Sequence, residues 1–163
     1  MCFNLIVAIC RTNNKNDYRF ISEIGLGIGG IGYKGDLPWP RINKDLNFFK
    51  KCTTYESNNN LNQIKNVVIM GRKTWESLPS NYKPLSNRIN VIISRTMNNN
   101  DESINGMVDC FVFSSFQEAV NRFSDSDSNK YNVWVIGGCG LYAEAIKHPD
   151  CKYIFVTKIF NRY

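Results

Sequence analysis

The chain has 163 residues, of which 43% are hydrophobic, and this size and composition fit one globular domain with a substantial core. Its 20 Lys and Arg residues against 14 Asp and Glu residues give a net charge of +6. Because the basic residues are scattered and form no block, we expect an acidic small-molecule ligand and no nucleic-acid partner.

The cysteines give no sign of a metal site. The six of them form no C-x-x-C pair, and His148 is the one histidine that could join them. Reduced cysteines that pack as small hydrophobic side chains are typical of a cytoplasmic protein, although the sequence leaves a disulfide open. The apolar run Leu5 to Cys10 is too short to span a membrane and lacks a basic leader, so we expect a buried first strand and no membrane partner.

Short apolar runs of β-type residues alternate with helical patterns along the chain. The predicted strands are Phe3 to Cys10, Asn66 to Met70, Ile89 to Ser94, Cys110 to Phe113, Val133 to Ile136 and Tyr153 to Ile159. The predicted helices are Lys44 to Thr53, Thr74 to Ser77, Ser115 to Arg122 and Leu141 to Lys147. Strands that are apolar without alternation are typical of a sheet covered on both faces, and intervening helices favour parallel crossovers. The sequence therefore predicts an α/β domain.

Three polar segments are predicted to be surface loops of this one domain: Thr12 to Phe20, Glu56 to Gln63 and Ser124 to Lys130. The segment Gly25 to Gly32 contains G-x-G-x-x-G twice. A turn-forming sequence follows it, whereas a dinucleotide fold requires the start of a helix at that point. We therefore predict a mobile loop whose backbone can approach a ligand, with a plain flexible loop as the alternative.

One carboxylate is predicted to lie on the apolar side of a helix. Asp45, Leu46 and Phe49 share a side of the first predicted helix, because positions three and four apart lie one above another. An acid in this setting, directly after the rigid turn Gly35 to Pro40, suits the binding and protonation of a flat, nitrogen-rich ring. The alternative is a surface Asp that pairs with a neighbour such as Lys44.

Three strand ends have the character of phosphate sites. A glycine turn with two cations, Gly71 to Thr74, follows one predicted strand, and the glycine-rich segment Gly137 to Tyr142 follows another. Ser94 to Thr96 adds a cation where ligands collect in open α/β sheets. Each could be ordinary turn chemistry, but together they suit a long ligand with phosphates at its middle and its end.

Six segments resemble those of dihydrofolate reductases in their order and approximate spacing, and together they span nearly the whole chain. They are Leu5-Ile6-Val7-Ala8, Gly30-Ile31-Gly32-Tyr33-Lys34-Gly35-Asp36-Leu37-Pro38-Trp39, Val68-Ile69-Met70-Gly71-Arg72-Lys73-Thr74-Trp75-Glu76-Ser77, Pro84-Leu85-Ser86-Asn87-Arg88-Ile89-Asn90, Ile136-Gly137-Gly138 and Phe155-Val156-Thr157. The resemblance implies a mixed, mostly parallel twisted sheet with helices on both faces. It also implies NADPH-dependent reduction of 7,8-dihydrofolate to 5,6,7,8-tetrahydrofolate, in support of one-carbon metabolism and thymidylate synthesis, and the binding of antifolates.

The resemblance assigns roles to individual residues. Asp45 would bind the 2-amino group and adjacent nitrogen of the pteridine with Thr157 as its partner, Leu37 would complete the catalytic group, and Arg88 would bind the glutamate tail. The implied substrate-binding residues are Ile6, Val7, Ala8, Asp45, Leu46, Phe49, Leu78, Leu85, Arg88, Ile136, Tyr142 and Thr157. The implied cofactor-binding residues are Ala8, Ile31, Gly32, Gly35, Asp36, Leu37, Gly71, Arg72, Lys73, Thr74, Ser94, Arg95, Thr96, Ile136, Gly137, Gly138, Cys139, Gly140, Leu141 and Tyr142.

The implied reaction is hydride transfer from the nicotinamide to C6 of the pteridine with protonation at N5, and it needs no metal. The segment Gly30 to Asp36 would close over the site. Arg72 and Arg95 would meet the 2′-phosphate and so favour NADPH over NADH. The peptide between Gly137 and Gly138 is cis in this family.

The chain departs from the family pattern in two places. An insertion, roughly Thr12 to Gly29, is reminiscent of protozoan members, which are often fused to thymidylate synthase, so a fused synthase domain is a candidate partner. The family continues past the last residues, 160–163, into a closing hairpin, so we expect a single domain over residues 1–163 that is truncated at its carboxyl end. Two alternatives follow: a catalytically incomplete NADP- or folate-binding fragment or module, and a pterin- or flavin-precursor reductase, against which Asp45 and Arg88 argue.

Overall fold

The computed structural model of the chain describes residues 2–11, 18–21, 29–33, 36–54, 64–123 and 130–162. The predicted loop Glu56 to Gln63 lies outside these residues. So do residues 12–17 and 124–129 of the other two predicted loops, residues 25–28 of the glycine-rich segment, and Gly35.

Eight strands form one sheet within the described ranges. They are β1 (Phe3–Arg11), β2 (Tyr18–Ile21), β3 (Gly29–Tyr33), β4 (Lys65–Gly71), β5 (Ile89–Ile93), β6 (Cys110–Phe113), β7 (Tyr131–Gly137) and β8 (Cys151–Arg162). The helices are α1 (Asn43–Thr53), α2 (Arg72–Ser77), α3 (Phe116–Phe123) and α4 (Cys139–Ile146), and a 3-10 turn covers Ser80–Tyr82.

The strand order is β2-β3-β1-β7-β4-β5-β6, with β8 paired to the remaining edge of β1. The pairs among β1, β4, β5, β6, β7 and β8 are parallel. Both antiparallel pairs among the described strands involve β3, which pairs with β1 on one side and with β2 on the other. This confirms the mixed, mostly parallel sheet.

Helices cover both faces of the sheet, which confirms the rest of the predicted architecture. The apolar sides of α3 and α4 pack with one set of strand side chains, and those of α1 and α2 pack with the set that points the other way. The run Val67 to Met70 in β4 is fully buried. A strand covered on both faces needs an apolar residue at every position, and each such side chain contributes about 1.5–3 kcal/mol of burial free energy.

The prediction of loops was wrong for Tyr18 to Phe20 and for Gly29 to Gly32. These residues form β2 and β3, in which Gly30 pairs with both Cys10 and Phe20. Glycine has a low strand propensity, and the backbone ladder to neighbouring strands stabilises β3 in spite of it.

All six cysteines carry free thiols, and Cys10 and Cys110 are buried. No helix within the described ranges is long and apolar enough to cross a membrane.

Candidate active site

The carboxyl ends of three parallel strands lie at the same level of the sheet. Gly71, the last residue of β4, pairs with Ile93 at the end of β5, and Met70 pairs with Gly137 at the end of β7. In parallel α/β sheets, ligands bind outside this edge. All three glycine- or cation-bearing segments singled out in the sequence begin here.

The segment after β7 forms a cradle of bare backbone against α2. A Cβ at Gly138 would lie 3.2 Å from Thr74 Oγ1, and a Cβ at Gly71 would lie 3.8 Å from Gly138 N. Gly137 has φ +127°, and its peptide to Gly138 is cis, as the resemblance implies. Side chains at these positions would fill the space over the backbone, so the cradle suits the close approach of a phosphate group.

Helix α1 carries Asp45 on the side that packs on the sheet through Phe49. Asp45, Leu46 and Phe49 are half-buried, whereas Lys44 and Asn47 on the other side are exposed. The acid in the first turn and the lysines in the last turn both complement the helix dipole. Asp45 forms no hydrogen bond or ion pair with any other residue that the structure describes. As far as the described residues go, its carboxylate is free to accept hydrogen bonds from a ligand.

Tyr142 connects helix α4 to the middle of β1. It is 4% exposed, and its hydroxyl donates a 2.7 Å hydrogen bond to the carbonyl of Ile6. Burial raises the pKa of Tyr142, and the charges of Cys139 and Asp45 raise it further. The phenol therefore stays neutral, and Asp45 is near enough to act on it electrostatically.

Apolar side chains of α1, α2 and the strands form a wall beside Asp45. Phe49, Leu78 and Ile136 are half-buried and pack against the cluster that contains Ile6 and Leu85. Thr157 of β8 pairs with Ala8 of β1 and is half-buried. Leu37, in contrast, is 45% exposed.

Arg88 is a buried cation, 9% exposed, that is held on several sides. Its Nε donates to Ser86 O at 3.0 Å, and its Nη1 donates to Thr53 Oγ1 at 2.8 Å. Its Cζ lies 5.8 Å from the ring centroid of Phe49. Burial lowers the pKa of Arg88 to about 10, so it is charged at neutral pH. Because no described carboxylate pairs with this buried charge, its free edge suits an anionic ligand.

Asn90 fixes the turn that carries Arg88. Fully buried, it accepts a hydrogen bond from Leu85 N (2.9 Å) and donates to Leu85 O (3.0 Å) and Arg88 O (2.9 Å). Asn87 within the turn adopts the left-handed conformation, with φ 58°, which Asn tolerates better than most residues. The backbone of Arg88 is thus set by the start of β5.

The cations predicted for the cofactor meet near the start of α2. Arg72 Nη1 donates to Thr96 Oγ1 at 3.0 Å, and its Nε lies 3.3 Å from Glu76 Oε1. Ser94 Oγ accepts from the backbone N–H of Thr96 (3.3 Å) and of Met97 (3.0 Å), which shapes the turn after β5. A cavity of about 250 Å³ borders Arg72 and Thr96. Lys73 and Arg95 are exposed.

Some predicted residues lie apart from this cluster. Ile31 and Gly32 belong to β3, where Ile31 packs on the face covered by α3 and α4. Asp36 is exposed and accepts a 2.7 Å hydrogen bond from Leu37 N, and Gly35 lies outside the described residues. The described ranges contain no group of three or more His, Cys, Asp or Glu side chains that could hold a metal ion.

The sequence analysis missed Thr53 and Asn90, which support Arg88. Thr53 lies four residues after Phe49, on the side of α1 that carries Asp45, and this spacing could have identified it. Asn90 is a polar residue in a predicted buried strand, which is a signal of a specific hydrogen-bonding role.

A family model described as dihydrofolate reductase matches residues 28–163. A dihydrofolate reductase of Bos taurus is 36% identical over 136 residues, which cover 82% of this chain and 68% of the relative. One of Drosophila melanogaster is 33% identical over 161 residues, covering 99% of this chain and 75% of the relative. One of Aedes albopictus is 34% identical over 160 residues, covering 96% and 73%.

Proposed function

Because the chain belongs to the dihydrofolate reductase family, we propose that it reduces 7,8-dihydrofolate to 5,6,7,8-tetrahydrofolate with NADPH as the hydride donor. The observation that carries this proposal is the half-buried Asp45, which has no hydrogen bond or ion pair within the described chain and lies on the side of α1 that packs on the sheet through Phe49. Its charge acts on Tyr142, whose hydroxyl is bound to β1.

Asp45 would bind the protonated edge of the pteridine. A carboxylate accepts hydrogen bonds from a 2-amino group and the adjacent ring nitrogen in a planar, paired arrangement. The negative charge favours a protonated ring, so Asp45 assists protonation at N5 without contacting that atom. The backbone of Ile6, Val7 and Ala8 would line the ring, and the half-buried Thr157 beside Ala8 supports its role as partner of the acid.

The apolar wall and Arg88 account for the rest of the substrate. Phe49 and Leu78, with Leu46 on the same side of α1, offer apolar surface for the benzoyl ring, and Arg88 lies next to Phe49. The free edge of its guanidinium can pair with a carboxylate of the glutamate tail. Apolar contacts bind the middle of the substrate, and a charge-assisted pair binds its end.

The residues at the strand ends fit NADPH. The pyrophosphate suits the cradle at Gly137 and Gly138, where bare backbone faces Thr74. Arg72 beside Thr96, with Arg95 next to it in sequence, offers positive charge for the 2′-phosphate. When bound, NADPH supplies the hydride that adds to C6 of the pteridine. The protein's part is to hold the two rings face to face and to exclude water.

The same proposal extends to location and partners. Free thiols at all six cysteines support a cytoplasmic setting. Antifolates, which share the pteridine-like edge, would bind Asp45 as the substrate does. A fused thymidylate synthase domain is the partner implied by the insertion before Gly30.

Turnover with an Asp45 variant tests the function. We expect decay of nicotinamide absorbance when the protein is mixed with NADPH and dihydrofolate. Asp45→Asn should bind NADPH as the original protein does but lose most turnover at neutral pH, because the amide cannot favour the protonated ring. Binding of both ligands without turnover by the original protein would support a non-catalytic module instead, and unchanged turnover in Asp45→Asn would refute the role of the acid.

A further inference from the structure

On the basis of the proposed function, we infer that Thr53 is a positioning residue that orients Arg88 toward the carboxylate tail of the substrate. Thr53 thereby contributes to selectivity for pteridines that carry a glutamate. It contacts no reacting atom and acts through the arginine.

The hydroxyl of Thr53 stands in a continuous chain of hydrogen bonds. It donates to the carbonyl of Phe49 at 2.9 Å and accepts from Arg88 Nη1 at 2.8 Å. The donated bond fixes the direction of the oxygen lone pairs, so the accepted bond fixes the plane of the guanidinium. Thr53 is fully buried, which makes this contact stronger than it would be in water.

The remaining contacts of Arg88 leave one edge of the guanidinium open. Nε is used by Ser86 O, Nη1 by Thr53, and one face stacks over Phe49. Nη2 forms no hydrogen bond or ion pair with any residue that the structure describes. Thr53 thus occupies one nitrogen and, within the described contacts, leaves Nη2 able to donate to a carboxylate.

Thr53 also lowers the entropic cost of binding. An arginine side chain has many rotamers, and ordering it when a ligand binds reduces affinity. In this protein the contacts with Ser86, Thr53 and Phe49 already hold the guanidinium in one orientation. Loss of the hydroxyl should weaken the binding of the tail while leaving the pteridine site, at the other end of α1, unchanged.

The helix offers a matched control. Thr54 Oγ1 donates to Lys50 O at 2.7 Å, which is the same hydrogen bond to the residue four positions earlier, but no described arginine contacts it. Thr53→Val and Thr54→Val therefore remove the same helical hydrogen bond, and only the first removes a partner of Arg88. Thr53→Ser restores the hydroxyl and should restore the function.

Two substrates separate the tail from the ring: 7,8-dihydrofolate and 7,8-dihydropteroate, which lacks the glutamate. Thr53→Val should raise KM for dihydrofolate about ten-fold, as expected for one hydrogen bond to a charged group, with kcat and the KM for dihydropteroate unchanged. Thr54→Val and Thr53→Ser should match the original protein. Dissociation constants of folate and pteroate, measured by calorimetry, should show the same selectivity.

An equal loss for both substrates in Thr53→Val would show a general structural effect and overturn the inference, as would an unchanged KM for dihydrofolate. If the original protein binds folate without turnover, the reductase proposal fails, and the two dissociation constants still test Thr53. If the original protein binds folate and pteroate with equal dissociation constants, Arg88 does not bind the glutamate tail, and the role of Thr53 is refuted as well.

Discussion

Gly137 and Gly140 lie three residues apart in the cradle, yet alanine should have opposite effects at the two positions. Gly137 has φ +127°, and its added Cβ would lie 3.4 Å from the ring and hydroxyl of Tyr142. Side chains strongly disfavour this backbone conformation, so Gly137→Ala should lower the free energy of unfolding by about 1–3 kcal/mol. Gly140 lies inside α4 with nothing within 4 Å of an added Cβ, so Gly140→Ala should raise it by about 0.5–1 kcal/mol.

Urea denaturation of the two variants and the original protein measures both effects. The midpoint should shift down for Gly137→Ala and up for Gly140→Ala, while the slope stays constant, because neither change alters the surface exposed on unfolding. A Gly137→Ala variant as stable as the original protein would refute the strained backbone at the end of β7. A destabilised Gly140→Ala variant would refute the open, helical position of Gly140.

Two further predictions concern charge and protonation. Replacement of both Arg72 and Arg95 with Gln removes charge-assisted contacts, so it should weaken NADPH binding roughly ten- to hundred-fold. Fluorescence titrations should show NADH binding unchanged. Equal losses of affinity for both cofactors would refute the assignment of these arginines to the 2′-phosphate. Burial raises the pKa of the Cys110 thiol from 9.0 to about 11, so the unfolded chain loses this proton first and stability should fall as pH rises from 9.0 toward about 11. In Cys110→Ala, the denaturation midpoint should fall less steeply with pH across this range than in the original protein. Equal dependence of the midpoint on pH in the two proteins would contradict the burial of this thiol.

The parallel part of the fold was predictable because its strands are buried on both faces. The run Val67 to Met70 is apolar at every position for that reason, and the sequence shows it directly. Strands β2 and β3 were not predictable in the same way. Their stability comes from pairing with β1 and with each other, and glycines at 29, 30 and 32 hide any strand pattern.

The side of α1 that carries Asp45 could be predicted because helical spacing alone groups Asp45, Leu46 and Phe49. The support of Arg88 could not, since the contact with Thr53 joins residues 35 positions apart. Helical spacing places Thr53 on the side of α1 that carries Asp45, but its contact with Arg88 depends on how α1 packs over the sheet, which a single sequence does not show. The glycine cradle lies between these cases, because its composition indicated a phosphate site while its fit against Thr74 required the structure.

The central claim is that Asp45 binds the pteridine while NADPH lies along the strand ends. A crystal structure of the protein with folate and NADP⁺ tests it most directly. The account predicts the 2-amino group and adjacent ring nitrogen within hydrogen-bonding distance of the Asp45 carboxylate, and the pyrophosphate over Gly137 and Gly138. A pteridine bound elsewhere, with the Asp45 carboxylate facing solvent, would contradict it.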